Sequence, residues 1–85
     1  MSIYVSGEVM EPGNFRSRNT NKEAITLKDV IARAGGQTRL AHKFKIYIFR
    51  DGNKYLINKS IGSLDDILLD GGDLVFLPPV AFPGR

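Results

Sequence analysis

Residues 3–10 alternate between the two sides of an extended chain. One side carries Ile3, Val5, Gly7 and Val9. A period of two is typical of a half-buried strand, and Gly7 would let a helix approach that side closely. Next, Pro12-Gly13 predicts a type II turn in which Gly13 adopts a positive φ. Phe15 then begins a short return strand, and a polar loop follows over residues 16–23.

A helical period replaces this alternation between residues 26 and 35. The apolar positions, spaced i, i+3, i+4 and i+7, are Leu27, Val30, Ile31 and Ala34. This spacing predicts a helix of about two to three turns with one apolar stripe. Thr26 and Asp29 resemble a capping box at its beginning. Gly35 is suited to end the helix in the left-handed conformation.

Alternation returns on both sides of Asp51-Gly52, a dipeptide typical of a two-residue hairpin turn. The predicted pairs are Arg50 with Asn53, Phe49 with Lys54, Ile48 with Tyr55 and Tyr47 with Leu56. The side that faces the helix then holds Ile46, Ile48, Tyr55 and Ile57. Because side chains of a strand alternate, Tyr47, Phe49 and Leu56 must point away from the helix.

Residues 74–77 form a short apolar run that predicts a buried last strand, ended by Pro78-Pro79. Two hairpins separated by one helix bury the helix stripe only against one face of a shared sheet, with the first and last strands as its central pair. We therefore predict an α+β fold of the β-grasp type over residues 1–79, a mixed four- to five-stranded sheet curled round one helix, followed by an extended tail over residues 80–85. The predicted core is Val5, Val9, Leu27, Val30, Ile31, Ala34, Ile46, Ile48, Ile57 and Leu74 or Val75.

Composition narrows the range of functions. A chain of 85 residues has room for one domain. The net charge of +3 is spread along the chain without a basic run, so we expect no nucleic-acid partner. No apolar stretch approaches the ~18 residues of a membrane helix, so we expect no direct membrane span. The absence of Cys excludes disulfides and thiolate metal sites.

Neither cofactors nor metals are predicted. Gly35-Gly36 and Gly71-Gly72 lack the spacing of phosphate-binding loops and fit a helix end and a tight turn. Four carboxylates occur late in the chain, on Asp65, Asp66, Asp70 and Asp73. Together they could hold a hard cation such as Ca²⁺, but their spacing is not that of an EF-hand. Capping and turn roles explain each of them, so we predict no metal site.

Three motifs together resemble the soluble-ligand-binding β-grasp (SLBB) domain. They are V-x-G-x-V-x-x-P-G in "VSGEVMEPGNF", T-L-x-x-x-I-x-x-A-G-G in "TLKDVIARAGG" and G-D-L-V-x-L-P in "LLDGGDLVFLP", with the "IYIFRDG" hairpin between the last two. SLBB domains occur in outer-membrane polysaccharide export proteins and related periplasmic assemblies. The resemblance implies a non-catalytic module, not an enzyme, that binds soluble ligands or sugars and often packs into rings.

Two hypotheses about context follow from this resemblance. Export proteins carry a signal sequence and an export domain ahead of such modules, whereas here a strand pattern begins at Ile3. The first hypothesis is a binding module excised from a polysaccharide export or synthesis protein of the periplasm or cell envelope. The second is a stand-alone structural protein of a symmetric assembly, such as a decoration, neck or tail component of a virus particle, found in the cytoplasm or the virion. The expected partner is a protein, either further copies of the chain or a larger assembly, or a saccharide.

Two candidate sites follow from the residue pattern. The first, a small corner for an anion or saccharide, would use Arg39, His42 and Lys43, since charged donors make strong hydrogen bonds. The same residues also fit an ordinary exposed loop. The second is a contact surface on the uncovered side of the sheet, because exposed aromatic residues on a small domain usually mark a contact site. Its residues are Tyr4, Tyr47, Phe49, Leu56 and Phe82.

An alternative for the second site is that residues 78–83 fold back over the sheet and cover it with Val80 and Phe82. The remaining residues of interest have scaffold roles in turns. These are Pro12, Gly13, Gly35 and Gly52.

Overall fold

The computed structural model describes residues 2–16, 25–42, 44–58 and 67–80. Its elements in chain order are β1 (Ser2–Gly7), β2 (Gly13–Arg16), β3 (Ile25–Thr26), α1 (Leu27–Arg33), β4 (Lys45–Arg50), β5 (Asn53–Asn58), β6 (Leu68–Leu69) and β7 (Leu74–Leu77). The fold is α+β, with one helix among the described residues, as the sequence predicts.

Five strands form one mixed sheet in the order β2-β1-β7-β4-β5. The first and last strands, β1 and β7, pair in parallel, and every other neighbouring pair is antiparallel. The predicted central pair is thus confirmed. A small two-stranded ladder of β3 and β6 was not predicted from the sequence. It holds the beginning of the helix, since the Leu27 N–H donates to the Ile67 carbonyl at 2.9 Å.

The helix begins and ends where its local chemistry requires. Thr26 is the N-cap, and its Oγ1 accepts a hydrogen bond from the Asp29 backbone N–H at 3.1 Å. At the other end Gly35 has a φ of 83°, in the left-handed region that favours glycine. Between these ends, Leu27, Val30 and Ile31 are buried against the sheet.

The core agrees with the predicted list except at its edge. Ile57 is only partly buried, because β5 is an edge strand that lies beyond the cover of the helix. Of the two alternatives on the last strand, Val75 is buried and Leu74 is not. The residues of the hydrophobic core cluster that the prediction omitted are Ile3, Ile25, Leu69 and Leu77.

The predicted type II turn at residues 11–14 is wrong. Gly13 has a φ of 159°, close to extended, and already belongs to β2, where it pairs with Val5. Residues 8–11 do not close a tight hairpin because the loop after α1 captures them. The Met10 N–H donates to the Gly36 carbonyl at 3.0 Å and the Glu11 N–H donates to the Ala34 carbonyl at 2.8 Å.

Gly7 also has a different role from the predicted approach of the helix. It has a φ of 90°, and a Cβ at this position would overlap the backbone of Leu77 in β7. The close neighbour is therefore the adjacent strand.

The hairpin of β4 and β5 has the predicted register throughout. Arg50 pairs with Asn53, Phe49 with Lys54, Ile48 with Tyr55 and Tyr47 with Leu56. Asp51 and Gly52 have φ values of 53° and 81°, as a two-residue type I′ turn requires.

Candidate functional site

The two faces of the sheet carry different kinds of side chain. On β4, Ile46 and Ile48 are buried beneath the helix, so the alternating Tyr47 and Phe49 lie on the opposite side. On β7, Val75 and Leu77 are buried in the same way. We call the opposite side the outer face and define it by Tyr4, Tyr47, Phe49, Lys54, Leu56, Leu74 and Phe76.

Strand register makes the outer face continuous. Phe76 is the pairing partner of Tyr47, and Leu74 is the pairing partner of Phe49. Leu74 also pairs with Tyr4 across the parallel β1–β7 ladder. Paired residues carry their side chains on the same face about 5 Å apart, so these groups are neighbours from strand to strand. At its two ends the outer face is open, with Tyr4 46% and Leu56 53% exposed.

A shallow pocket of about 530 Å³ occupies one end of this face. It is lined by His42, Lys45, Tyr47, Phe49, Lys54, Phe76, Pro78, Pro79 and Val80. We call it the outer-face pocket. Its surface is largely apolar, because it is formed by three aromatic rings and by the three residues that follow β7, Pro78, Pro79 and Val80. The basic side chains of Lys45 and Lys54 lie beside this apolar surface.

The charge at the pocket is of one sign. Lys45 and Lys54 line it, and no carboxylate occurs among its lining side chains in the described parts of the chain. The Lys54 Nζ lies 5.2 Å from the centre of the Tyr47 ring, a cation–π distance that holds the ammonium beside the aromatic surface. An anionic group entering the pocket would therefore meet positive charge.

Hydrogen bonds fix the rim of the pocket. The His42 Nδ1 accepts from the Phe44 N–H at 3.0 Å and from the Lys45 N–H at 3.2 Å, which orients the imidazole. The backbone N–H of His42 donates to the Pro78 carbonyl at 2.7 Å, and the backbone N–H of Val80 donates to the Leu40 carbonyl at 2.6 Å. Residues 78–80 are thus bound along residues 40–42 as one wall of the pocket.

The predicted corner of Arg39, His42 and Lys43 is only partly assembled around this pocket. His42 lines it, whereas the exposed Arg39 is not among its lining residues. Lys43 lies outside the described residues. A saccharide or anion role for the three residues together stays a prediction.

The predicted contact residues Tyr4, Tyr47, Phe49 and Leu56 all lie on the outer face. Phe82 lies outside the described residues, as does half of the 78–83 segment that the alternative folds back over the sheet. The described part of the tail reaches Val80 and borders the pocket. Whether these side chains contact a partner stays a prediction.

Sequence reasoning missed Leu74 and Phe76, because it treated residues 74–77 as one buried run. The signal was present in the alternation: with Val75 and Leu77 facing the helix, their neighbours on the strand must face outward. The outer face therefore includes the ring of Phe76, which the sequence analysis did not assign to it.

An ion pair between a buried carboxylate and a partly exposed arginine lies on the opposite side of the sheet. Asp73 is 1% exposed, and its carboxylate accepts from the Arg50 Nε at 3.0 Å, the Arg50 Nη2 at 2.7 Å and the Asp70 backbone N–H at 2.8 Å. The hydrogen-bonded Asp73 carboxylate raises the pKa of Arg50, an effect that partial desolvation opposes. Both oxygens of the Asp73 carboxylate thus accept hydrogen bonds that hold the structure together. Asp65 and Asp66 lie outside the described residues, within which no cluster of metal-binding side chains occurs.

Comparison with known protein families identifies the domain. The family model of the SLBB domain matches residues 1–77 of the chain. No curated protein matches it. In the segments that the structure describes, no helix has the length and apolar character needed to cross a membrane.

Proposed function

Since the chain belongs to the SLBB domain family, we propose that it is a non-catalytic binding module of the polysaccharide-export type. We further propose that its fold is a β-grasp and that the outer-face pocket holds a saccharide with acidic groups. The parallel central pair of β1 and β7, with one helix between two hairpins, supports the β-grasp assignment. One observation carries the ligand assignment: aromatic rings and two lysines share an open pocket on the side of the sheet opposite the helix.

Aromatic rings suit the apolar C–H faces of a sugar ring, because they offer a large rigid surface that gains from burial. Tyr47, Phe49 and Phe76 come from two adjacent strands and supply such a surface. Lys45 and Lys54 stand beside it and can donate charge-assisted hydrogen bonds to a carboxylate. Recognition by shape and recognition by charge are therefore available within one pocket.

The lining of the pocket supports binding over cleavage. Glycoside hydrolysis uses a pair of carboxylates that flank the scissile bond. Among the described side chains that line the outer-face pocket there is no Asp or Glu. His42 is the pocket's imidazole, and its Nδ1 is occupied by two backbone N–H groups.

Calorimetric titration with two saccharides tests this function. A hexameric uronic-acid oligosaccharide should bind the native chain, and a neutral glucose hexamer should bind at least about tenfold more weakly, because it lacks partners for the lysines. Lys54→Gln should weaken binding of the acidic oligomer by about three- to tenfold. Lys28→Gln is the matched control, since it makes the same charge change on the exposed surface of α1.

If both lysine variants weaken binding of the acidic oligosaccharide equally, the oligosaccharide is attracted to the overall positive charge of the protein and does not bind specifically in the pocket. Absence of binding for both oligosaccharides would remove the saccharide assignment. Neither result would affect the family membership.

The second candidate is a structural protein of a symmetric assembly. Tyr4 and Leu56 favour it, because both are about half exposed and neither lines the pocket. A flat protein surface would cover these side chains, whereas a saccharide in the pocket would not. In this case Phe49→Ser should leave the chain folded and lower its average mass in sedimentation equilibrium. Equal masses for the variant and the native chain would contradict it.

A further inference from the structure

The sheet has two edges, and they are protected to different degrees. The β2 edge is four residues long, and the Arg33 Nη1 reaches it to donate to the Arg16 carbonyl at 3.3 Å. The β5 edge is six residues long and pairs with β4 at every position without a bulge. Proteins usually protect such an edge with charge, proline, a bulge or a covering element. In the described part of the chain, β5 has a ladder partner on one side only.

The hairpin geometry identifies which backbone groups face the free edge. A two-residue turn makes Arg50 and Asn53 a hydrogen-bonded pair. Hydrogen-bonded and non-hydrogen-bonded pairs then alternate along the ladder, so Lys54 and Leu56 do not exchange hydrogen bonds with β4. Their N–H and C=O groups point outward from the sheet, where another strand can pair with them.

Charge does not protect this edge. The one charged residue of β5 is Lys54, whose ammonium leans across β4 to lie 5.2 Å from the centre of the Tyr47 ring. The next two side chains along the strand are large and open, with Tyr55 48% and Leu56 53% exposed. An exposed, regular and weakly charged edge strand is a template for strand addition.

We propose that β5 of one copy pairs antiparallel with β5 of a second copy, about a two-fold axis at Leu56. In this register Leu56 lies opposite Leu56 of the second copy and Tyr55 lies opposite its Ile57. Both are apolar cross-strand pairs of the kind that stabilises a sheet. Lys54 lies opposite Asn58, so no like charges meet. A shift that centred the axis on Lys54 would set two ammonium groups opposite each other, which is unfavourable.

The pairing has a consequence for binding, which rests on the proposed function. Cross-strand partners carry their side chains on the same face, so Leu56 in both copies places the two outer faces on one side of the joined sheet. Each dimer then presents two outer-face pockets to the same polymer. Two linked sites hold a long chain more tightly than either alone, provided that the chain spans them.

A cysteine pair tests the register directly, because the native chain contains no Cys. Residues in a hydrogen-bonded antiparallel pair have Cα atoms about 5.5 Å apart, a distance at which a disulfide can form. Leu56→Cys should therefore form a disulfide-linked dimer on mild oxidation. Lys54→Cys, on the same strand and face, is the control, since its copies would lie too far apart. We expect Leu56→Cys to link at least about tenfold faster, because pairing raises the local concentration of the thiols.

Equal linking rates for the two cysteine variants would overturn the proposal, because random collision does not distinguish the positions. A native chain that stays monomeric in sedimentation equilibrium at millimolar concentration would overturn it as well.

A proline variant distinguishes self-association through the β5 edge from self-association through the outer face. Leu56→Pro removes an outward N–H that β4 does not use, so the monomer should keep its circular dichroism spectrum. Its dimer should dissociate at least about tenfold more readily, because each copy loses an inter-strand hydrogen bond. Leu56→Thr keeps the N–H and should retain most of the dimer. If threonine weakens the dimer as much as proline, or if Phe49→Ser does so, self-association uses the outer face and the edge proposal fails.

Discussion

The two faces of the five-stranded sheet are built from the same strands but use different side chains. The face beneath the helix holds branched aliphatic residues, such as Ile46 at 0% and Ile48 at 4% exposure. The outer face holds aromatic rings and a lysine, with Leu56 still 53% exposed at its end. Aliphatic packing accounts for the fold, because it removes apolar surface from water. The large side chains of the outer face leave much of their apolar surface in water, which points to a role other than stabilising the fold.

The largest expected difference is in stability, between two neighbouring residues of β4. Ile46→Ala should lower the free energy of unfolding by about 2–5 kcal/mol, because it leaves a cavity in the closed core. Tyr47→Ala should cost less than about 1.5 kcal/mol, since the ring is partly in water. Urea unfolding followed by circular dichroism measures both. Equal losses would show that the outer face is as much a part of the core as the face beneath the helix.

The ion pair of Asp73 and Arg50 should give the next largest effect. Asp73→Ala removes the carboxylate that binds Arg50 and the Asp70 N–H, so the free energy of unfolding should fall by about 2–3 kcal/mol. This is less than the cost of breaking a fully buried pair, because the Arg50 side chain is 33% exposed. Asp70→Ala is the control. Its carboxylate is 74% exposed, and removing it should cost less than about 0.5 kcal/mol.

Thermal unfolding of the two aspartate variants measures this difference in stability. A Tm for Asp73→Ala that equals that of Asp70→Ala would mean that the buried carboxylate does not hold the sheet together.

Two glycines of nearly equal φ test how closely β1 and β7 pack. Gly7 and Gly36 have φ values of 90° and 89°, so alanine meets an unfavourable φ at both positions, at a cost of about 1–2 kcal/mol. At Gly7 the added Cβ also overlaps the Leu77 backbone, whereas at Gly36 it meets no atom within 4 Å. Gly7→Ala should therefore be the less stable variant by about 1 kcal/mol or more. The reverse order in chemical denaturation would contradict the close packing of the two strands.

Local patterns predicted much of this architecture. The helix stripe, its Thr26 cap and the register set by Asp51-Gly52 depend on residues close in sequence, and all three are present in the structure. The outward direction of Tyr47 and Phe49 follows from alternation alone. These features need no knowledge of which distant segments meet.

Features that depend on distant contacts were not predicted. Arg50 and Asp73 are 23 positions apart, and nothing in the spacing of either residue indicates the pair. The turn at Gly13 was assigned wrongly because residues 8–11 bind the loop after α1 in preference to each other. Part of the outer-face pocket was missed for a similar reason, since its wall at residues 78–80 depends on bonds to residues 40–42.

We propose that the outer face binds the ligand, whereas the face beneath the helix stabilises the fold. Side-chain NMR of the native chain during titration with the uronic-acid hexasaccharide tests it directly, because aromatic and methyl signals report on opposite faces of the same strand. We expect the ring signals of Tyr47 and Phe49 to shift until the site is saturated, while the methyl signals of Ile46 and Ile48 stay nearly constant. Methyl shifts as large as the ring shifts, or ring signals that do not move, would contradict it.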